Sequence, residues 1–293
     1  MYKYICLFFC ISMLEVVIGQ EKIELYPQGL INHKGDVDLG ENVPEFYGYK
    51  PDQVTSNIAF LIIPGGGYSK VAIQHEGHDV AQKLQDLGYA AFVLRYRLPK
   101  VEQQDDKRIA PIQDAQTALS YIREHAQEIG LGGIKYVGVI GFSAGGHLAS
   151  TLSTHFATDY RTGKKAKTNL LRPDFSVLAY PVISMEDGIT HKGSKTKLIG
   201  PDFLEEDVRR FSNELNINKD TPPAFLMHAA DDKAVPIANS ERYLAKLQSN
   251  GIPTTLFRYE TGGHGFGLNN KTDDRSWFDA MLVWVNDLQL GKK

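Results

Sequence analysis

The chain has 293 residues, room for one large domain or two small ones, and its 42% apolar content is ordinary for a globular protein with a sizeable core. Acidic and basic side chains nearly balance, at a net charge of −3, and are mixed along the sequence. That pattern argues against a nucleic-acid surface or a polybasic membrane patch, and the short basic run GKKAK (163–167) reads as a solvated loop.

The first segment, MYKYICLFFCISMLEVVIGQ, carries one lysine and then an apolar stretch interrupted only by Ser12 and Glu15. It is too short to span a bilayer comfortably and ends in Val17-Ile18-Gly19, with small residues at −3 and −1 of a cleavage site. Residues 1–19 are therefore expected to be a secretory signal peptide cut near Gly19–Gln20, leaving a secreted or periplasmic protein with no membrane attachment. A buried N-terminal helix fits less well, and so does a lipoprotein anchored through Cys10, which follows bulky Phe9. Cys6 and Cys10 are the only cysteines. The expected mature chain, 20–293, thus has no disulfide, thiol catalysis or cysteine metal site.

From residue 57 onward, short β-rich runs alternate with helical patterns. NIAFLIIP (57–64) is an apolar strand that runs into glycines. AIQHEGHDVAQKLQDLG (72–88) has helical spacing at Val80, Leu84 and Leu87, and YAAFVLRYRL (89–98) is a strand. The stretch 110–130 begins with Pro111 in its first turn and stops at Gly130, the punctuation of a helix. KYVGVIGF (135–142) is the next strand, followed by a helix from Ala144 to about Phe156. Strands are predicted at 174–180, 223–230 and 253–260, and helices at 237–251 and 275–289. The stretches 157–173 and 184–214 are candidate insertions over a substrate site. Apolar strands alternating with helices imply one α/β domain: a mostly parallel sheet with helices on both faces, and a binding site beyond the carboxyl ends of its strands.

Gly141-Phe142-Ser143-Ala144-Gly145 fits G-x-S-x-G between a predicted strand and a predicted helix, the context in which such a serine is a nucleophile. An idle serine in a glycine-rich turn remains the alternative for the pentapeptide alone. An oxyanion site needs N–H groups free of side-chain obstruction, and PGGGY (64–68) supplies three consecutive glycines after the first core strand. It is not the G-x-G-x-x-G of a nucleotide site. HAADDKAVP (228–236) places Asp231 and Asp232 after a strand, and GGHGFG (262–267) places His264 after the next. His75, His78 and His125 lie on helical patterns as surface residues, and His147, one turn beyond Ser143, reads as packing.

PGGGY, GFSAGGHLAS, DDKAVP and GGHGFG, in this order and spacing, resemble the α/β-hydrolase esterases, above all the bacterial acetylxylan-esterase-like carbohydrate esterases. The likeness covers most of 57–270. It implies an α/β-hydrolase fold with Ser143 as nucleophile, His264 as general base and then acid, and Asp232 as the acid that orients His264. Asp232 is preferred to Asp231 because the family's acid stands four residues before the proline of D-x-x-V-P, here Pro236. The resemblance further implies an oxyanion hole from the N–H groups of Ala144 and of Gly66 or Gly67, and hydrolysis of short acyl esters on an acetylated carbohydrate. No metal or cofactor is expected. Pro64 stands where many lipase relatives have a histidine that braces the glycine turn, which disfavours the lipase-like branch. Tyr68 and Phe142 are expected to wall off a small acyl pocket, and His191 either to contact a sugar or to brace its loop. A serine peptidase of the same fold and a non-catalytic carbohydrate-binding relative are the alternatives. A glycosidase would need two opposed carboxylates, which nothing in the sequence singles out.

Overall fold

Runs of Ile, Val, Leu, Phe and Ala with no polar alternation must be covered on both faces, and in the computed structural model they are. The structure describes residues 20–35, 37–166, 169–288 and 290; the expected signal peptide lies outside them. In chain order the strands are β1 (Gln20–Ile23), β2 (Glu45–Tyr49), β3 (Ile58–Ile63), β4 (Ala90–Arg95), β5 (Tyr136–Phe142), β6 (Thr158–Asp159), β7 (Lys164–Lys165), β8 (Phe175–Ala179), β9 (Ala224–Ala229) and β10 (Thr254–Tyr259). The helices are α1 (Asp79–Asp86), α2 (Ala110–His125), α3 (Ser143–Thr154), α4 (Lys192–Ile199), α5 (Glu205–Phe211), α6 (Ala238–Ser249) and α7 (Trp277–Asp287).

Eight strands form one sheet in the order β1-β2-β4-β3-β5-β8-β9-β10. From β4 to β10 every neighbour is parallel, and β1 and β2 close one edge antiparallel. Alternate residues of each strand feed two separate cores. Ala59, Leu61 and Ile63 pack with Ala115, Leu119, Leu148, Leu152 and Leu247, from α2, α3 and α6. Ile58, Phe60 and Ile62 share the other core with Val80, Leu84, Trp277 and Met281, from α1 and α7. Parallel strands buried on both faces with helices on both sides are the expected fold class, an α/β-hydrolase fold. The loops after β3, β5, β9 and β10 all leave the carboxyl ends of parallel strands, so they meet at one end of the sheet.

Several elements differ from the sequence expectation. β1 and β2 were not anticipated, because Gln20–Ile23 at the sheet edge and Glu45–Tyr49 beside it are short and half-polar. The stretch between them is fastened by a buried ion pair, Arg97 Nη2 to Asp114 Oδ1 at 2.7 Å. Tyr26 Oη donates to the same carboxylate at 2.6 Å, and Arg97 Nη1 donates to the Ile31 carbonyl at 2.7 Å. Helix α2 ends at His125 and not at Gly130, whose φ of +77° closes a later turn. The basic run 163–167 contributes β7 to an exposed two-stranded hairpin with β6. The insertion 184–214 carries two short helices, α4 and α5. The predicted helix 72–88 is split: Gln74–His78 is a π-helical turn, with the His78 N–H bonded to the Ile73 carbonyl at 2.9 Å, and α1 follows it. Among the described residues no helix is long and apolar enough to cross a membrane.

Candidate active site

Strand β5 ends extended at Phe142, and Ser143 then turns left-handed, with φ +51°, into the first turn of α3. A non-glycine residue with positive φ is strained, and here the strain lifts the hydroxyl off the sheet. The turn is this sharp because α3 is pressed onto the end of β3. A Cβ at Gly145 would collide with the carbonyl oxygens of Ile63 and Pro64. The Ser143 carbonyl accepts a 3.0 Å hydrogen bond from the Val182 N–H, which fixes the turn from the β8 side.

His264 reaches Ser143 from the loop after β10. Its Nε2 lies 2.8 Å from Ser143 Oγ and its Nδ1 2.7 Å from Asp232 Oδ2. A carboxylate only accepts, so Nδ1 carries the proton and the Nε2 lone pair faces the serine hydroxyl. Asp232 Oδ1 accepts from the N–H groups of Ala234 and Val235, each at 2.9 Å. Burial alone would raise the Asp232 carboxyl, but hydrogen bonds from His228, His264 and Val235 outweigh it and hold the group well below the usual carboxylate range. Asp231 is exposed and points elsewhere, accepting from the Gly263 N–H at 2.8 Å.

Gly66 and Gly67 adopt φ +124° and +65°, and among the described residues their N–H groups and that of Ala144 carry no hydrogen bond. Ala144 lies in the first turn of α3, where N–H groups have no partner within the helix and carry partial positive charge. The Gly65 N–H is taken, at 2.8 Å, by Glu76 Oε2 from the π-helical turn. A brace for the glycine turn therefore exists despite Pro64, and it is a carboxylate.

Two expected pocket residues lie elsewhere. Phe142 is fully buried in the core under α1 and α7, packed against Tyr180 and Trp277. Alternation along β5 sends it to the sheet face that α1 and α7 cover. Tyr68 is also buried, its hydroxyl 2.8 Å from His147 Nδ1 and its ring edge-on to Tyr96, so it supports the turn from beneath. Neither walls an acyl pocket. His191 is half-buried and caps α4, its Nδ1 accepting from the Ser194 N–H at 3.2 Å. The edge of its ring comes within 3.6 Å of where a Gly67 Cβ would be, and among the described residues its Nε2 has no hydrogen-bond partner. It thus braces its loop and borders the glycine turn at once. Burial lowers the His191 pKa, aided by His264 and opposed by Asp232.

His147 is the packing residue expected, buried between the Tyr68 hydroxyl and the Phe211 carbonyl. Three contributors were not singled out in the sequence. His228, buried on β9, sits 3.3 Å from Asp232 Oδ2, with Nε2 also 2.9 Å from the Val235 carbonyl and Nδ1 2.8 Å from Ser240 Oγ. A histidine inside an apolar strand, four residues before the acid, was its only sequence signal. Glu76 is hidden in a stretch that reads as a surface helix. Tyr180, directly after β8, presents its ring edge-to-face to His264 at 4.9 Å. A cavity of ≈ 680 Å³ opens beside the glycine turn, lined among others by Tyr47, Ser69, Lys70, Arg95 and Tyr96. The Tyr96 hydroxyl donates to the Pro64 carbonyl at 3.1 Å.

The BD-FAE family model matches residues 48–247. An acetylxylan esterase of Xylanibacter ruminicola is 34% identical over 237 residues, which cover 80% of this chain and 45% of that protein. The chain thus spans less than half the length of that relative. Among solved structures, an acetyl ester-xyloside bifunctional hydrolase from Caldicellulosiruptor lactoaceticus is 34% identical with a TM-score of 0.77, covering 91% of this chain and 95% of its own. An α/β hydrolase from a deep-sea metagenome library is 27% identical with a TM-score of 0.64, over 92% and 97% of the two chains.

Proposed function

Because the chain belongs to the BD-FAE family, we propose that it is a serine carboxylic-ester hydrolase that removes acetyl and other short acyl groups from carbohydrates such as xylan or xylo-oligosaccharides. One observation carries this assignment. The hydrogen-bonded series Asp232–His264–Ser143, at 2.7 and 2.8 Å, ends at a hydroxyl beside N–H groups that have no partner among the described residues. The likeness to an acetylxylan esterase and to an acetyl ester-xyloside hydrolase supports the choice of substrate.

In the proposed reaction Ser143 Oγ attacks the acyl carbonyl while His264 Nε2 takes its proton. The carbonyl oxygen becomes an oxyanion held by the N–H groups of Ala144 and of Gly66 or Gly67. His264 returns the proton to the departing sugar oxygen as the C–O bond breaks, leaving an acyl-serine and a free sugar hydroxyl. Water then adds to the acyl carbonyl, again through His264, to release the carboxylic acid and restore Ser143. Asp232 keeps the imidazole in its Nδ1–H form and offsets the charge of the imidazolium. The sugar extends over the glycine turn, where His191 Nε2 offers a contact. The apolar segment before residue 20 supports export, which the mass of the secreted protein tests.

The decisive experiment compares nitrophenyl acetate, butyrate and octanoate with acetylated xylo-oligosaccharides. Expected are a kcat/KM that falls with acyl length, acetate release from the oligosaccharide, and a loss of about 10⁴–10⁶ in kcat for Ser143→Ala with the fold retained. A preference for octanoate without acetate release would move the protein to the lipase-like branch. Near-normal turnover by Ser143→Ala would remove Ser143 from the mechanism.

A further inference from the structure

Glu76 is 3% exposed and, among the described residues, has no lysine or arginine partner. A carboxylate in such a place is costly unless its oxygens are fully hydrogen-bonded. Oε2 accepts from the Gly65 N–H and Oε1 from the Tyr180 hydroxyl, both at 2.8 Å. The half-exposed His75 imidazole lies 3.7 Å from Oε1, and the neighbouring Tyr96 hydroxyl is committed to the Pro64 carbonyl. The series continues beyond Tyr180. Its hydroxyl accepts from the Gly267 N–H at 2.9 Å, and the Gly267 carbonyl accepts from Trp277 Nε1 at 3.0 Å. Gly267 closes the loop that carries His264, whose ring makes a T-shaped contact with the Tyr180 ring at 4.9 Å. Tyr180 is itself held at φ +35°, a conformation that needs outside support.

We propose that Glu76 is a positioning residue that locks the oxyanion turn to the loop carrying the general base. Its two oxygens join Gly65 on one side to Tyr180 and Gly267 on the other, so both halves of the acyl-transfer machinery share one frame. The role rests on the esterase assignment above, but the linkage itself does not. The register is tight: a Cβ at Gly65 would lie 2.8 Å from both Glu76 Oε2 and Ser143 Cβ, and 2.7 Å from the Phe142 carbonyl oxygen. Carboxylate, glycine turn and nucleophile therefore meet within the width of one side chain. The π-helical turn makes this possible. An extra residue in the helical turn changes the direction in which its side chains project, and such bulges are frequent at functional sites. Only a carboxylate accepts on both atoms; glutamine offers one acceptor and one donor, and alanine neither.

The sign of the effect separates positioning from charge. A negative charge beneath an oxyanion site opposes the charge that develops there, so its removal by itself would speed acylation. A lock predicts the reverse. In the full chain, Glu76→Ala and Tyr180→Phe should each lower kcat on nitrophenyl acetate by about 10–100-fold with KM changed by less than about 3-fold, because donors aimed at the transition state are displaced. Glu76→Gln should fall between wild type and Glu76→Ala. The Glu76→Ala/Tyr180→Phe double variant should be little worse than the worse single one, as for residues acting as a unit. Hydrogen exchange provides a readout independent of activity. Glu76→Ala should speed exchange of the Gly267 amide, and Tyr180→Phe that of the Gly65 amide, each on the far loop. Tyr180→Phe loses one oxygen and keeps its ring, so it carries the test if Glu76→Ala does not fold. Unchanged or raised kcat in folded variants, additive losses, or exchange confined to the mutated side would overturn the proposal. If the wild type hydrolysed no ester, the exchange pattern would still decide the linkage, and only the assignment above would fail.

Discussion

Asp231 and Asp232 are neighbours in the chain, yet their carboxylates serve different partners. Asp232 Oδ2 meets His264 Nδ1 at 2.7 Å, whereas Asp231 Oδ1 holds the Gly263 N–H at 2.8 Å. Asp232→Asn should therefore cost about 10⁴ in kcat by favouring the wrong imidazole tautomer. Asp231→Asn keeps an acceptor oxygen for Gly263 and should cost less than about 10-fold, the size of a displaced loop contact and not of a lost orienting group. Steady-state kinetics of the two variants check this, and a larger loss in Asp231→Asn would reverse the assignment. At this scale the sequence was informative where chemistry and turn coincide: Ser143, His264 and the glycines stand in loops whose composition admits few other purposes. It was silent where function depends on what lies behind. Glu76 and His228 sit in patterns that satisfy a helix and a strand equally well with any residue of suitable size. Phe142 and Tyr68 misled because adjacency to Ser143 and Gly67 in sequence says nothing about which face of the sheet receives a side chain.

Helix α3 shows the same contrast over twelve residues, all of them buried. Its start was legible from the glycines that let it press on β3, and His147 was legible as packing one turn beyond Ser143, but His155 at its far end was not. His147 bridges the Tyr68 hydroxyl and the Phe211 carbonyl, and His155, just past the last turn, is 2.8 Å from the Tyr160 hydroxyl. Burial pushes both imidazoles down to about 4 from the ordinary 6.5, with Arg210 adding to the effect at His155. Both are neutral in the fold, so the unfolded chain binds more protons between those two values. Their contribution is fully present above pH 6.5 and is lost as pH falls toward 4, by up to about 3 kcal/mol each. Asp232, also depressed, adds its loss only below its ordinary 3.8. Urea unfolding at pH 7 and at pH 4.5 should show a clear drop in midpoint, and equal midpoints would contradict the assignment of both histidines as buried and neutral. The insertion helices α4 and α5 were harder to foresee. Their segment is polar and short of periodic apolar positions, and they are held by contacts such as Lys195 with Asp187 at 2.8 Å, which no local pattern announces.

Across the whole molecule the central parallel strands were legible because burial on both faces leaves unbroken apolar runs, whereas β1, at the edge, and β2, next to it, are short and only partly buried. The fold then sets these stable layers around one unstable point. Ser143 is held at φ +51°, where a glycine would sit without strain. Ser143→Gly should raise stability by about 1 kcal/mol, a gain of roughly 2–4 °C in Tm for a chain of this size, readable by differential scanning calorimetry. A lower Tm would mean that the hydrogen bond to His264 contributes more than the strain takes away. Heat tolerance and turnover are thus opposed at a single codon. A laboratory selection that scores surviving soluble protein after heating would enrich inactive chains, and one intended to yield a hardier enzyme must require product at every round.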